Sequence, residues 1–100
     1  MLGIGSISIN VITISETSPT IIGEANTRYN CGEIISLNLT PPLVGTMDIR
    51  FTSGSTVTTL TVPNTIKFPE WFDPSSLEAN TVYEICITDG IYAGVTSWAL

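Results

Sequence analysis

The stretch MDIRFTSGSTVTTLTVPNTIKFPEWFD, residues 47–73, decides the fold class of this chain. Residues 47–51 alternate apolar and polar side chains, which is the period of a half-buried β-strand. A turn cluster around Gly54 follows, and the alternation resumes at residues 58–62. Because a short Gly-containing loop between two alternating runs favours a hairpin, we predict that these two strands pair directly.

The second half of this stretch is an aromatic segment, FPEWFDP at residues 68–74. Three aromatic side chains between two prolines carry much apolar surface for an irregular segment, so we expect the segment to cover an open face of the sheet. Trp71 stands between Phe68 and Phe72, and we expect it to be an anchor of the core.

Further alternating runs extend on both sides of this stretch, and no segment of helical period has useful length. The runs lie at residues 7–14, 34–39, 83–88 and 91–98, and Asp89-Gly90 is a pair that favours a type I′ hairpin turn. Turn signals recur at roughly 8–12 residues, so we predict an all-β domain, an antiparallel sandwich or open barrel of about six strands. The sequence shows no convincing internal repeat.

Composition limits the classes of partner. The chain has 100 residues, enough for one small domain, and 12% of them are charged, so polar uncharged residues or other subunits must cover much of the surface. The formal net charge is −6, and Arg28, Arg50 and Lys67 are the only bases. The chain therefore lacks the basic surface that binds nucleic acid or anionic lipid, and we expect neither partner.

No apolar run approaches the ~20 residues of a membrane span, and the N-terminus lacks the positive region of a signal peptide. We therefore expect no membrane partner, and we expect the protein to be made and folded in a cytoplasm. Cys31 and Cys86 should then stay reduced. A disulfide between them is the alternative, which the spacing does not decide.

The residue types that most enzymes use are missing. The chain has no His, which removes the usual general base, the Ser-His and Cys-His nucleophile pairs and the commonest transition-metal ligand. Two separated Cys residues do not make a structural zinc site alone, and no Gly-rich phosphate loop is present. We therefore predict a protein without catalytic residues, metal or cofactor.

Two carboxylates occur in the aromatic segment, Glu70 directly before Trp71 and Asp73 directly after Phe72. Acids beside exposed aromatic rings can form a sugar-stacking platform, and acids over buried rings can form an ordinary solvated turn. The pattern makes Glu70, Trp71 and Asp73 the candidate ligand platform and leaves both interpretations open.

The N-terminal run is apolar on both faces and contains no charge. Its apolar side chains are Ile7, Ile9 and Val11 on one face, and Ile12 and Ile14 on the other. Natural proteins usually protect a free strand edge with charge, and a small domain has only one core. We therefore predict that residues 4–14 hold an oligomer together or attach the protein to a larger particle.

Several short motifs occur in order along the chain. They are RYNCGE at 28–33, DIRFTSGS at 48–55, LTVP at 60–63, FPEWF at 68–72, LEANTVYEI at 77–85, DG at 89–90 and SWA at 97–99. Together they resemble a small β module of virion structural proteins of tailed bacteriophages of gut Firmicutes. No catalytic residue comes with the resemblance. Because residues 1–27 are short beside the long fibre proteins, it implies a head fibre, a decoration protein or a tail component.

These expectations give an N-terminal segment at 1–27, for oligomerisation or attachment, and a β module at 28–100. The resemblance implies a non-enzymatic protein of the virion that assembles with itself, as a homotrimer, and with other virion proteins. The alternative is a carbohydrate-binding module that recognises the bacterial surface through Trp71.

Overall fold

All of the described secondary structure is β. The computed structural model describes residues 9–100, and these contain eight strands and no helix. The strands are β1 (Asn10–Ile14), β2 (Thr20–Ile22), β3 (Thr27–Glu33), β4 (Ser36–Thr40), β5 (Thr46–Ser53), β6 (Thr59–Thr61), β7 (Thr81–Thr88) and β8 (Tyr92–Ala99). The predicted all-β class is therefore confirmed.

The strands form a large sheet in the order β1-β3-β5-β7-β8 and a small sheet in the order β2-β4-β6. The first six strands alternate between the two sheets, and within each sheet they are parallel. The chain therefore winds through three coils, β1–β2, β3–β4 and β5–β6, each hydrogen-bonded to the next. β7 and β8 then extend the large sheet as antiparallel strands.

The predicted antiparallel sandwich of about six strands is wrong in two respects, because the large sheet is mixed and residues 9–100 already form eight strands. The predicted hairpin is also wrong, because β5 lies in the large sheet and β6 in the small one. Alternation of apolar and polar residues identifies a half-buried strand, but it does not identify the sheet to which the strand belongs.

The connection between β5 and β6 is a corner with buried polar contacts. The Thr58 N–H donates to Ser53 Oγ at 3.0 Å, and the Thr58 hydroxyl donates to the Ile34 carbonyl oxygen. Gly54 is buried beside Glu33, where an added Cβ would clash with the carboxylate. These contacts satisfy the polar groups of the chain as it passes from one sheet to the other.

The three coils form a structural repeat that the sequence does not show. Asn10, Thr27 and Met47 occupy equivalent positions in adjacent parallel strands. The three side chains differ in chemical type and the intervals between them differ in length, so no fixed period is visible. The coils are also joined where the chain passes between the sheets, as where the Thr59 N–H donates to the Ile35 carbonyl oxygen at 2.9 Å.

The core lies between the two sheets. Every second side chain of β5 is buried, and β7 has the same inward period. The fully buried hydrophobic side chains come from both sheets and from the turn before β4: Ile34, Leu37, Leu39, Met47, Ile49, Phe51, Ile85 and Ile87. The predicted inward faces of residues 47–51 and 83–88 are therefore confirmed.

The large sheet has two strands more than the small one, and the 62–80 connection covers the inner face left open beside β7. Ile66, Phe72 and Leu77 of this connection are buried in the common core. The ring centroids of Phe72 and Tyr83 lie 5.8 Å apart. The expectation that the aromatic segment covers an open face of the sheet is confirmed.

Trp71, however, is not a core anchor, and that prediction is wrong. Its side chain is 62% exposed, whereas Phe72 is 7% exposed. The Phe72 N–H donates to the Pro69 carbonyl oxygen at 3.0 Å, which closes a turn with Glu70 and Trp71 at its centre and Phe72 at its end. The turn directs Phe72 into the core, and Trp71 meets the Phe72 ring edge to face.

The Asp89-Gly90 turn is confirmed as the connection between β7 and β8. The φ angles of its two residues are 55° and 67°, both positive as a type I′ turn requires. Asp89 Oδ1 also accepts a hydrogen bond from the Gly45 N–H at 2.9 Å. The turn therefore also fixes the loop between β4 and β5.

β1 and β2 lie within the predicted N-terminal segment 1–27, and they pair with β3 and β4 of the predicted module. Ile21 of β2 is part of the core. The first coil is thus packed with the rest of the described chain. The oligomerisation or attachment role of residues 1–27 stays a prediction.

We expect Phe72→Ala to lower the free energy of unfolding by about 3–5 kcal/mol, because it removes a buried ring and leaves a cavity. Trp71→Ala removes a larger ring from an exposed position and should cost less than about 1 kcal/mol. Urea unfolding of both variants measures the difference. Equal losses would contradict the assignment of Phe72 as the anchor.

Candidate functional site

Three surfaces of the described residues carry features that a function can use. The open end is formed by the outer edges of β1 and β2. The Trp71 platform consists of Glu70, Trp71 and Asp73. The outer groove is a depression on the face of the large sheet that is turned away from the core.

The open end places two free strand edges side by side. β1 is the terminal strand of the large sheet and β2 is the terminal strand of the small one, and both belong to the first coil. Within residues 9–100 no strand pairs with the outer edge of either. A row of unpaired N–H and C=O groups on such an edge is a template for pairing with another chain.

The open end carries exposed apolar side chains and no charge. Val11 is 59% exposed and Ile22 is 76% exposed, and neither β1 nor β2 contains a charged residue. The predicted residues Ile9 and Ile12 are exposed here too, whereas Ile14 packs against the core. Ile7 lies outside the described residues. Sequence reasoning missed Ile22, because a three-residue strand is too short to show alternation.

The opposite end of the large sheet is different. The strand β8 is terminal there, and part of its outer edge is occupied by the 62–80 connection. The Lys67 N–H donates to the Ile91 carbonyl oxygen at 2.6 Å, and the Ala93 N–H donates to the Lys67 carbonyl oxygen at 3.0 Å. The two ends of the large sheet are therefore unequal, one partly covered and one open.

The Trp71 platform lies on the outside of the aromatic segment. Glu70, Trp71 and Asp73 are all exposed, so the structure brings the three predicted residues onto one solvent-facing turn. Asp73 Oδ1 accepts hydrogen bonds from the Ser75 hydroxyl at 2.6 Å and from the Ser75 N–H at 2.9 Å. These two bonds hold the pKa of the Asp73 carboxyl below its usual range, so it is an acceptor at neutral pH.

The outer groove has a volume of about 370 Å³ and crosses four adjacent strands. Its polar lining and floor come from Arg28 of β3, Asp48 and Arg50 of β5, Glu84 and Cys86 of β7, and Gly94 and Thr96 of β8. The sheet register aligns Asp48 with Cys86 and Gly94, and it aligns Arg50 with Glu84 and Thr96. Sequence reasoning missed this groove, because only the pairing of the strands assembles it.

Both bases in the outer groove are paired with acids. Arg50 Nε donates to Glu84 Oε2 at 2.8 Å, and a second Arg50 nitrogen lies 2.6 Å from the same oxygen. The Arg50 guanidinium also lies 5.7 Å from the centre of the exposed Trp98 ring. Arg28 and Asp48 form a looser ion pair at 3.7 Å. The groove therefore has four charges that sum to zero.

The two cysteines lie on opposite faces of the large sheet. Cys31 packs against the core and Cys86 lines the outer groove, and both are free thiols, which excludes a Cys31–Cys86 bridge. Burial raises the pKa of Cys31 to about 11. Burial, a hydrogen bond to Asp48 and the charge of Asp48 raise the pKa of Cys86 to about 11. Both thiols are therefore weak nucleophiles at neutral pH.

No group of three or more His, Cys, Asp or Glu side chains in residues 9–100 could hold a metal ion. None of the described residues forms a helix that is long and apolar enough to cross a membrane. Comparison with family models, curated proteins and solved structures finds no match to this chain.

We expect alkylation of Cys86 at about pH 8 to be roughly tenfold to hundredfold slower than in the unfolded chain, because its raised pKa leaves little thiolate. Asp48→Asn removes a negative charge beside the thiol and should accelerate the reaction at Cys86. Mass spectrometry of the alkylated peptides measures both thiols. Cys31, on the other face of the sheet, is the internal control, and an unchanged Cys86 rate in Asp48→Asn would contradict this assignment.

Proposed function

We propose that this chain is a non-enzymatic structural protein of a bacteriophage virion, a decoration, head-fibre or tail component that oligomerises through its open end. The resemblance of residues 28–98 to modules of tailed-phage virion proteins supports the class of protein. The observation that carries the proposed assembly is the pair of uncharged edges of β1 and β2 at one end of the stack, which no strand within residues 9–100 covers.

Among the described residues, the first coil has a neighbouring coil on one side only. The second coil has a neighbouring coil on each side, whereas the outer side of the first coil pairs with none of the described strands. A stack of this kind needs a polar or covered terminal unit to stay soluble as a monomer. The first coil instead exposes the apolar side chains of Val11 and Ile22. Its outer edge is therefore suited to pairing with a second copy of the chain or with another virion protein.

Covering the exposed apolar side chains of the open end favours assembly. Burying one Ile or Val side chain fully is worth roughly 1.5–3 kcal/mol, and Ile9, Val11, Ile12 and Ile22 are all exposed there. A closed symmetric oligomer repeats this gain in every subunit. We propose a homotrimer in which the three open ends face one another or the particle surface.

We expect the double variant Val11→Glu, Ile22→Glu to be a folded monomer, because charge on a free edge opposes pairing with another chain. Point substitutions are preferable to deletion of residues 1–14, since β1 pairs with β3 and Ile14 contacts the core. Leu43→Glu, at a still more exposed apolar residue in the β4–β5 loop, is the control and should keep the oligomer.

Light scattering measures the mass of each variant in solution, and far-ultraviolet circular dichroism verifies the fold. A double variant that keeps the mass of the unaltered protein would show that the open end is not the interface. If the unaltered protein is itself a monomer at all concentrations and fails to bind virions, the proposed function is wrong.

The second candidate function is recognition of a bacterial surface glycan through the Trp71 platform. The observation that favours it is the exposed Trp71 ring beside the exposed acids Glu70 and Asp73. An indole face stacks on the apolar face of a sugar ring, and carboxylates accept hydrogen bonds from its hydroxyls. The sugar would bind on the side of the aromatic segment away from the core.

For this candidate we expect Trp71→Ala to lose binding on an array of bacterial glycans without a large change in melting temperature. Trp71→Tyr keeps an aromatic face and should retain part of the binding, which separates stacking from a merely structural effect. Equal glycan binding by Trp71→Ala and the unaltered protein would exclude the platform.

A further inference from the structure

We propose that the outer groove binds a neutral oligosaccharide, with one sugar ring seated over Gly94. This site is separate from the open end, and it lies on the opposite face of the large sheet from the aromatic segment, whose Phe72 packs on the inward-facing Tyr83. It therefore depends neither on the virion assignment nor on the Trp71 platform.

Gly94 is the first observation that points to a ligand. Glycine weakens the interior of a strand, and its usual reasons are a positive φ or close packing against a neighbour. Gly94 has no positive φ, and an added Cβ would meet nothing within 4 Å. Close approach of another molecule is one role of a glycine within a strand, and Gly94, unlike Gly32, lies in the groove.

The charges of the groove indicate a neutral ligand. The Arg50–Glu84 pair is held by two short contacts, and Arg28 faces Asp48, so a charged ligand would have to break a pair or meet a like charge. Sugar hydroxyls donate and accept hydrogen bonds in the same ligand. They can therefore use the free lone pairs of the two carboxylates and the free N–H groups of the two guanidiniums without separating the pairs.

The position of the groove on the sheet favours a saccharide over a peptide. The strands β3, β5 and β7 are paired on both edges, so an extended peptide could add only to the outer edge of β8, beside the groove and not within it. The outer face of the large sheet presents polar side chains and aromatic rings to a ligand. Tyr92 and Trp98 lie on the same face of β8 as Gly94, one on each side of it, and both rings are exposed.

The groove volume also fits this assignment. Small-molecule sites typically measure ~300–1,000 Å³. The outer groove, at about 370 Å³, lies at the small end of this range. We therefore expect recognition of a short segment of a glycan rather than of a long chain.

The test uses the full-length protein and an array of neutral hexose and N-acetylhexosamine oligosaccharides, followed by calorimetric titration of those that bind. Gly94→Val should lower the affinity by roughly tenfold or more, because it fills the floor of the groove. The same variant should keep or raise the melting temperature, because Val is the better strand residue and meets no neighbour. Lost binding therefore cannot be attributed to unfolding.

Two control variants separate this site from the rest of the protein surface. Gly32→Val also places a side chain in open space, but outside the groove, and should leave the affinity unchanged. Trp71→Ala should leave it unchanged as well, since Trp71 lies on the other side of the sheet. Loss of binding in Trp71→Ala with retention in Gly94→Val would assign the saccharide to the Trp71 platform and overturn this proposal.

Cys86 provides a second readout inside the groove. A bound saccharide should slow the alkylation of Cys86 several-fold and leave that of Cys31 unchanged. An acidic peptide and an acidic oligosaccharide serve as negatively charged control ligands. Neither should protect Cys86 or Cys31 from alkylation. No binding by any neutral oligosaccharide on the array, or protection of Cys86 by the acidic probes alone, would contradict the proposal.

Discussion

The stacking of one coil on the next is the interaction on which the rest of this structure depends. A single coil of one strand from each sheet has an apolar inner face and cannot bury it alone, so each coil is stable only against its neighbours. The parallel pairs β1–β3–β5 and β2–β4–β6 supply that contact. The core, the polar corner at Thr58 and the position of every surface feature follow from this arrangement.

A stack of coils has two ends, and this chain treats them differently. After the third coil, β7 and β8 extend the large sheet and the aromatic segment fills the inner face that the small sheet leaves uncovered. Before the first coil, the described residues provide no cover, and the edge strands carry apolar side chains without charge. This asymmetry is the reason for connecting the fold with assembly.

The sequence predicts the parts of this fold that depend on local pattern. The inward faces of β5 and β7 follow from alternation, and the Asp89-Gly90 turn follows from the backbone freedom of those two residues. The sheet to which β6 belongs, and the parallel order of the coils, depend on distant pairing that alternation does not encode. Whether Trp71 or Phe72 is the core anchor depends on the turn that begins at Pro69. The composition of the segment does not show which of the two rings that turn points toward the core. The outer groove also depends on distant strand pairing, because four strands contribute one or a few residues each. The sequence alone therefore does not reveal it.

Amide hydrogen exchange at low and high protein concentration measures whether this protein assembles through the open end of the stack. A backbone edge that pairs with another chain becomes protected from exchange. We expect peptides containing β1 and β2 to gain protection as the concentration rises, and those containing β6 and β8 to stay unchanged. Protection that appears only in other strands, or exchange in β1 and β2 that stays fast in the assembled protein, would contradict assembly through this edge.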